Sequence, residues 1–251
     1  IFTANIRLYP MMRTPEDYEK QRKLDQILYK FDHPSLLKYY GYSPFNFRYE
    51  PFITQINEYT NLSLHDVFKL KDTKNAVKGW NAAKKLITIY GISAGMKYLH
   101  SKEIIHRNLS LDSIFLDENY YPKISSFDYI QQINEKEEKS SEMVGVIKYI
   151  SPEVINDSKY SKSSDVYAFA IIFYEIIGDV FAFTDFSTIF KFLFAVVKGD
   201  RPKFDSNQYI PKCYQELIEA CWSEDPNDRP TFDEIRLSSN FTNRRREKRI
   251  F

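Results

Sequence analysis

Apolar and polar positions change their spacing near Tyr59, and that change divides the chain. Upstream, residues 1–9, IFTANIRLY, read as a strand that Pro10 ends. A helix is predicted next: Thr14 supplies an N-cap oxygen, Pro15 suits the first helical position, and Glu16 and Asp17 complement the helix dipole. Ile27, Leu28 and Phe31 give it an apolar stripe, and Asp32, His33 and Pro34 are expected to stop it. From Leu36 to Tyr59, aromatic and β-branched residues broken by Gly41 and Pro44 predict two or three strands. Residues 1–59 thus form a small β-rich lobe, whose helix and strands precede a larger unit.

Beyond Tyr59 the pattern turns helical. Leu86, Ile89, Ile92, Met96 and Leu99 recur every three or four residues, which predicts one buried face on a long helix. Short strands are expected around Ile114 to Leu116 and Lys123 to Ser125. The segment DVYAFAIIFYEIIG, from Asp165 to Gly178, is apolar on nearly every side, as a helix at a lobe's centre is. YQELIEACW predicts another helix, and TFDEI a last one, with Thr231 and Glu234 in a capping-box pattern. The large lobe spans residues 60–239, and residues 240–251 are a basic tail carrying Arg244, Arg245, Arg246, Lys248 and Arg249.

Composition narrows the function classes. With 251 residues and 43% hydrophobic content, the chain can bury a sizeable core. Its 35 basic and 34 acidic residues leave a net charge of +1, so no global field recruits nucleic acid or a membrane surface. The apolar stretch from Val166 to Ile177 is interrupted by Glu175 and falls short of the roughly 20 residues that a membrane helix needs. The start does not resemble a signal peptide, so a cytoplasmic location is expected. Cys213 and Cys221, eight positions apart on one predicted helix, lie about 12 Å apart along its axis and cannot pair there. His33 and His100 have no metal-ligand spacing with them.

Seven runs, in order, carry a resemblance: HPSLLKYYGY, NEYTNLSLHDVF, GMKYLHSKEIIHRNLSLDSIFL, KISSFDYI, GVIKYISPEV, SDVYAFAIIFYEIIG and CWSEDPNDRPTFDEI. Together they resemble the eukaryotic protein kinase domain over nearly the whole chain, closest to its tyrosine-kinase-like group. The resemblance implies an α+β bilobal fold with a truncated small lobe. It also implies structural roles: Asp165 opens the central helix, Glu153 closes the SPE version of the A-P-E motif, Arg229 pairs with it, and His106 and Phe127 link the lobes.

The chemistry that the resemblance would place here is missing at several positions. In the family pattern an Asp accepts the substrate hydroxyl proton, and an Asn and the D-F-G Asp hold magnesium on the phosphates. Here H-R-D reads His106, Arg107, Asn108, the second-metal Asn is Ser113, and D-F-G reads Ser126, Phe127, Asp128. Ser110 replaces the catalytic-loop lysine of Ser/Thr kinases. In the nucleotide site, the strand lysine is Arg7, the helix glutamate falls at Leu24, Asn5 stands where an alanine lies against adenine, and Glu58 and Phe115 complete a degenerate pocket. The chain begins at the family's third strand, and no G-x-G-x-x-G run occurs in it.

These substitutions predict a pseudokinase that serves as a scaffold or regulatory binding module, with no cofactor, and ATP and magnesium held only if residual nucleotide binding persists. The alternative is an atypical active Ser/Thr or dual-specificity kinase, in which Asp128 or Asp112 binds a displaced metal; Asp128 reads instead as the start of a solvated loop. Ser140 and Ser141, in the run EKEEKSSEM, are candidate phosphorylation sites that would pair with Arg107 once modified. The helix from Phe186 to Val197 carries too many aromatics for one buried face and is the expected docking surface for a protein partner, an active kinase or its substrate.

Overall fold

Thr14 and Asp17 build the start of the first helix as the sequence implies. The Thr14 hydroxyl accepts the Asp17 amide at 3.2 Å and the Asp17 carboxylate accepts the Thr14 amide at 3.0 Å. The structure is a computed structural model that describes residues 2–6, 14–46, 48–50, 54–60, 62–133, 143–205 and 210–237. Helix α1 spans Pro15–Leu28, and it buries Gln21, Asp25 and Leu28, with Leu24 and Ile27 half-buried beside them.

The helix stops at Tyr29, three residues before the Asp32–Pro34 stop read from the sequence. The amides of Lys30 and Phe31 reach back to Ile27 and Leu28 in tighter turns. Phe31 has therefore left the helix, and its ring meets Phe127 edge-on at 5.2 Å.

Strand β1 spans Phe2–Ile6, β2 Tyr39–Ser43 and β3 Thr54–Glu58. They form one antiparallel sheet in the order β1-β3-β2, with Asn5 opposite Gln55. Two strands, not three, lie between Leu36 and Tyr59 among the described residues.

Downstream the fold is mainly helical. Strand β4 (Leu62–Ser63) leads into α2 (Leu64–Leu70), which Ser63 and Asp66 cap. Helix α3 spans Ala82–Ser101, and its Ile89, Ile92, Met96 and Leu99 are wholly buried, as their spacing predicts. Strands β5 (Ile104–Ile105), β6 (Ile114–Leu116), β7 (Pro122–Ile124) and β8 (Gln131–Gln132) follow, and β4-β6-β7 and β5-β8 pair antiparallel. A Cβ on Gly91 would lie 2.4 Å from the Pro122 ring, so glycine is what lets α3 approach β7.

Helices α4 (Pro152–Asp157), α5 (Lys162–Gly178), α6 (Ile189–Val197), α7 (Lys212–Cys221) and α8 (Phe232–Leu237) complete the chain. Helix α5 starts one turn earlier than Asp165, where the Ser164 hydroxyl accepts the Ser161 amide and donates to the Ser161 carbonyl. It is the axis of the large lobe, packed against α3 and α7, with Tyr167, Phe169, Ile171, Ile172, Phe173 and Ile176 fully buried. Each such side chain contributes about 1.5–3 kcal/mol. Helix α6 begins at Ile189, not Phe186, because Thr188 takes the N-cap and accepts the Lys191 amide. Cys213 and Cys221 are both free.

Candidate functional site

The site grows from Asp165, the fourth helical residue after the Ser161 cap of α5. Its carboxylate accepts the amides of His106 at 2.8 Å and Arg107 at 3.0 Å and contacts His100 Nε2 at 2.9 Å. Two backbone donors from the loop after β5 are thereby fixed to the lobe's central helix. His106 is completely buried; its Nδ1 accepts the Asn108 amide, so its Nε2–H donates to the Ser125 carbonyl at 2.9 Å. Its ring also meets Phe127 edge-on at 5.6 Å, which continues the aromatic link to Phe31. Arg107 and Ser126 both adopt positive φ, +65° and +64°, a strained conformation for residues with side chains that the packing enforces. The guanidinium of Arg107 lies over the Tyr160 ring at 4.5 Å and donates to Gln131.

Asn108 and Ser113 fall on this frame. Asn108 Oδ1 is buried and has no hydrogen-bond partner among the described residues. The backbone of Gly145 packs onto it: a Cβ there would sit 2.6 Å from the Arg107 carbonyl and 3.4 Å from Asn108 Oδ1. Ser113 is 1% exposed, and its hydroxyl both accepts the Ser110 amide at 2.9 Å and donates to the Ser110 carbonyl at 3.0 Å. Ser110, equally buried, returns an oxygen to the Ser113 amide. Ser126 Oγ lies 3.4 Å from Ser125 Oγ, and the Ser125 hydroxyl bonds the Ser113 carbonyl. Asp112 is turned outward and paired with His65 at 2.9 Å.

The positions read as a nucleotide site are brought only partly together. Arg7 lies outside the described residues, and Asn5 is placed by its backbone pairing to Gln55. Leu24 packs its side chain against the hydrophobic core. The neighbouring Asp25 carries the helix's polar contact: its buried carboxylate accepts from Tyr39 OH and from Gln21 at 3.0 Å. Glu58 accepts the Lys38 amide at 2.8 Å and pairs with Lys123 at 3.1 Å, opposite Phe115 on the β6–β7 ladder. Asp128 does not begin a solvated loop. It is mostly buried in a 3-10 turn, accepts from Gln55 Nε2 at 3.4 Å, and burial pushes its carboxyl up to about 6.

A family model described as protein tyrosine and serine/threonine kinase matches residues 7–238. This chain belongs to the protein kinase family. A probable LIM domain-containing serine/threonine-protein kinase of Dictyostelium discoideum is 28% identical over 238 residues, 93% of this chain and 35% of the relative. A probable serine/threonine-protein kinase of the same organism is 26% identical over 212 residues, 84% of this chain and 15% of the relative. A serine/threonine-protein kinase of Arabidopsis thaliana is 33% identical over 144 residues, 57% of this chain and 25% of the relative. The kinase domain thus spans between about a seventh and a third of the length of these relatives.

Magnesium on nucleotide phosphates does not fit the residues present. It takes carboxylate and phosphate oxygens in octahedral geometry. Ser113 has both its hydrogen and a lone pair engaged on Ser110. Asn108 offers no proton acceptor of carboxylate strength.

The structural anchors are intact. Arg229 forks onto both Glu153 oxygens at 2.7 and 2.9 Å and is 6% exposed. The sequence reading missed Glu175, which it took only as an interruption of an apolar run. Fully buried, this carboxylate receives Lys148 Nζ at 2.7 Å, Tyr149 OH at 2.8 Å and the Ala182 amide at 2.9 Å. Burial raises its pKa while Lys148 opposes that rise. The segment after Gly145 is thereby pinned to α5. Tyr160 holds the residue before Gly145 by bonding both the amide and the carbonyl of Val144. Ser140 and Ser141 lie outside the described residues. Phe186 stands before α6 and packs with Phe183 and Phe192, which is itself buried, so only Phe190 and Phe194 of the four aromatics face outward. No helix among the described residues is long and apolar enough to cross a membrane.

Proposed function

We propose that this kinase domain is a catalytically impaired, cytoplasmic member of the tyrosine-kinase-like group that works in signalling as a scaffold or regulatory module. Residues 1–59 act as its small lobe, 60–239 as its large lobe and 240–251 as a basic tail. The observation that carries the reading is Ser113, which replaces the family's second-metal Asn in the motif and whose hydroxyl is buried and engaged with Ser110 on both sides. Asn108 supports it: the loss of a positioned base costs around 10²- to 10⁴-fold in rate. The exposed aromatics Phe190 and Phe194 give the module a surface for a protein partner.

The second reading, an active Ser/Thr or dual-specificity kinase, is favoured by the relatives described above, all serine/threonine-protein kinases by name. Thermal-shift titration of the purified domain with ATP, with and without magnesium or manganese, followed by a phosphotransfer assay, separates the two. A ligand that binds only the folded state must raise the transition temperature. The proposed reading expects no metal-dependent shift and no transfer. A metal-dependent shift with transfer at ordinary turnover, abolished in Asp128→Asn, would establish the second.

A further inference from the structure

Helix α6 is closed on one side and open on the other. Phe192 and Val196 point into the large lobe, where Phe183 meets Phe192 at 5.0 Å and Phe186 meets it at 5.6 Å. The core's demand on this helix is thus already met. On the other side Ile189 is 57%, Phe190 83% and Phe194 66% exposed. Phe190, Phe194 and the half-buried Val197 follow the i, i+4, i+7 spacing of a single helical stripe. Two exposed phenylalanines one turn apart make an apolar contact surface that water solvates at a cost.

The charges on the helix itself have one sign, while around it Asp157 ends the packed helix α4 and Glu224 approaches Gly199. From Ile189 to Lys198, IFKFLFAVVK, there is no acid and there are two lysines, seven positions apart and therefore on one side of the helix. Lys198 Nζ lies 5.6 Å above the Phe194 ring, which keeps it at the stripe. Lys191 reaches back to the Ser187 hydroxyl at 3.1 Å. The first turn carries no acidic residue to offset the positive end of the helix dipole. Asp185 precedes the Thr188 cap, with a hydroxyl bond from Thr184, and Asp200 follows the Gly199 turn; both lie off the helix. A second copy of the chain fits poorly, because antiparallel pairing of two such helices sets Lys191 of one against Lys198 of the other.

We propose that the outer face of α6 takes an amphipathic helix whose flanks are acidic, with its apolar face laid on Phe190, Phe194 and Val197. The proposal rests on the docking reading above and deepens it by naming the partner's chemistry. A helix presents apolar side chains at the spacing the stripe offers, and acids beside them meet Lys191 and Lys198.

The test uses two fluorescent synthetic peptides of about 16 residues, long enough to form a helix on contact. Both carry leucine at i, i+3, i+4 and i+7; one has glutamate on its flanks and the other lysine at the same places. In anisotropy titrations with the whole chain, the glutamate peptide is expected to bind roughly tenfold more tightly, and its advantage to fade as salt is raised. In Lys191→Glu/Lys198→Glu the preference reverses, and in Phe190→Ala/Phe194→Ala both peptides lose affinity. Equal, salt-independent binding of both peptides that the phenylalanine variant abolishes would overturn the acidic partner and leave docking standing. Binding of neither peptide, or binding untouched by the phenylalanine variant, would overturn docking on this face as well.

Discussion

Ser113 and Asp128 hold opposite relations to water, and both relations come from their neighbours. Ser113 closes a two-way contact with Ser110 in the loop that would feed a metal. Asp128 is a carboxylate with a poor environment for charge, so its folded-state pKa rises from 3.8 to about 6. The sign follows from proton binding: the folded chain holds this proton more tightly than the unfolded one. Its stabilising effect is full below about 3.8 and is lost as pH rises toward 6, so at neutral pH the ionised group is a cost. Asp128→Asn keeps an acceptor for Gln55 and removes that cost. It is expected to raise stability on the order of 1–2 kcal/mol at pH 7.5, with the gain shrinking toward pH 4, read from urea titrations at both values.

At the scale of elements, the segment from Val144 to Ser151 is held on three sides, by Tyr160, by Glu175 and by contact of Gly145 with the loop at Arg107 and Asn108. Gly145 has φ +96°, and a Cβ would fall 2.6 Å from a carbonyl oxygen. Gly145→Ala is expected to cost about 1–3 kcal/mol, measured by chemical denaturation, with the loss concentrated in protection of the 143–151 amides. Such an approach is invisible to a reading that scans for periodicity. The signals that did surface were local: Thr14 with Asp17, Thr231 with Glu234, and the buried face of α3. The aromatic pattern starts helix α6 at Phe186, whereas Thr188 sets the start with its side-chain oxygen. Asn108, Ser113 and Ser126 are picked out by motif spacing alone. The burial of Asp25, Asp128 and Glu175 is not, since each depends on partners brought from other elements.

For the molecule as a whole, three contacts tie distant parts of the chain. Phe31 and Phe127 join the segment after α1 to the S-F-D turn, Glu58 and Lys123 join β3 to β7, and Arg229 and Glu153 join the end of the chain's helical part to α4. The last pair is the most enclosed: the Arg229 side chain is 0% exposed and also donates to the carbonyls of Ser163 and Ser223. Arg229→Ala leaves the Glu153 carboxylate without its fork and a cavity above Tyr167, and is expected to cost about 3–5 kcal/mol, seen as a lowered urea midpoint with an unchanged slope. The effect is predicted on stability alone, with peptide binding at α6 retained below the new midpoint.

The grip of Asp165 on two amides nearly sixty positions upstream has a consequence during biosynthesis. His106 and Arg107 leave the ribosome well before the residue that orients them, separated from it by 59 and 58 positions. Until α5 emerges, their amides lack this carboxylate, and the strained φ at Arg107 lacks one of the contacts that hold it. The nascent chain therefore acquires this loop in one late step, coupled to docking of the central helix, and chaperone dependence should be greatest in the interval between the two.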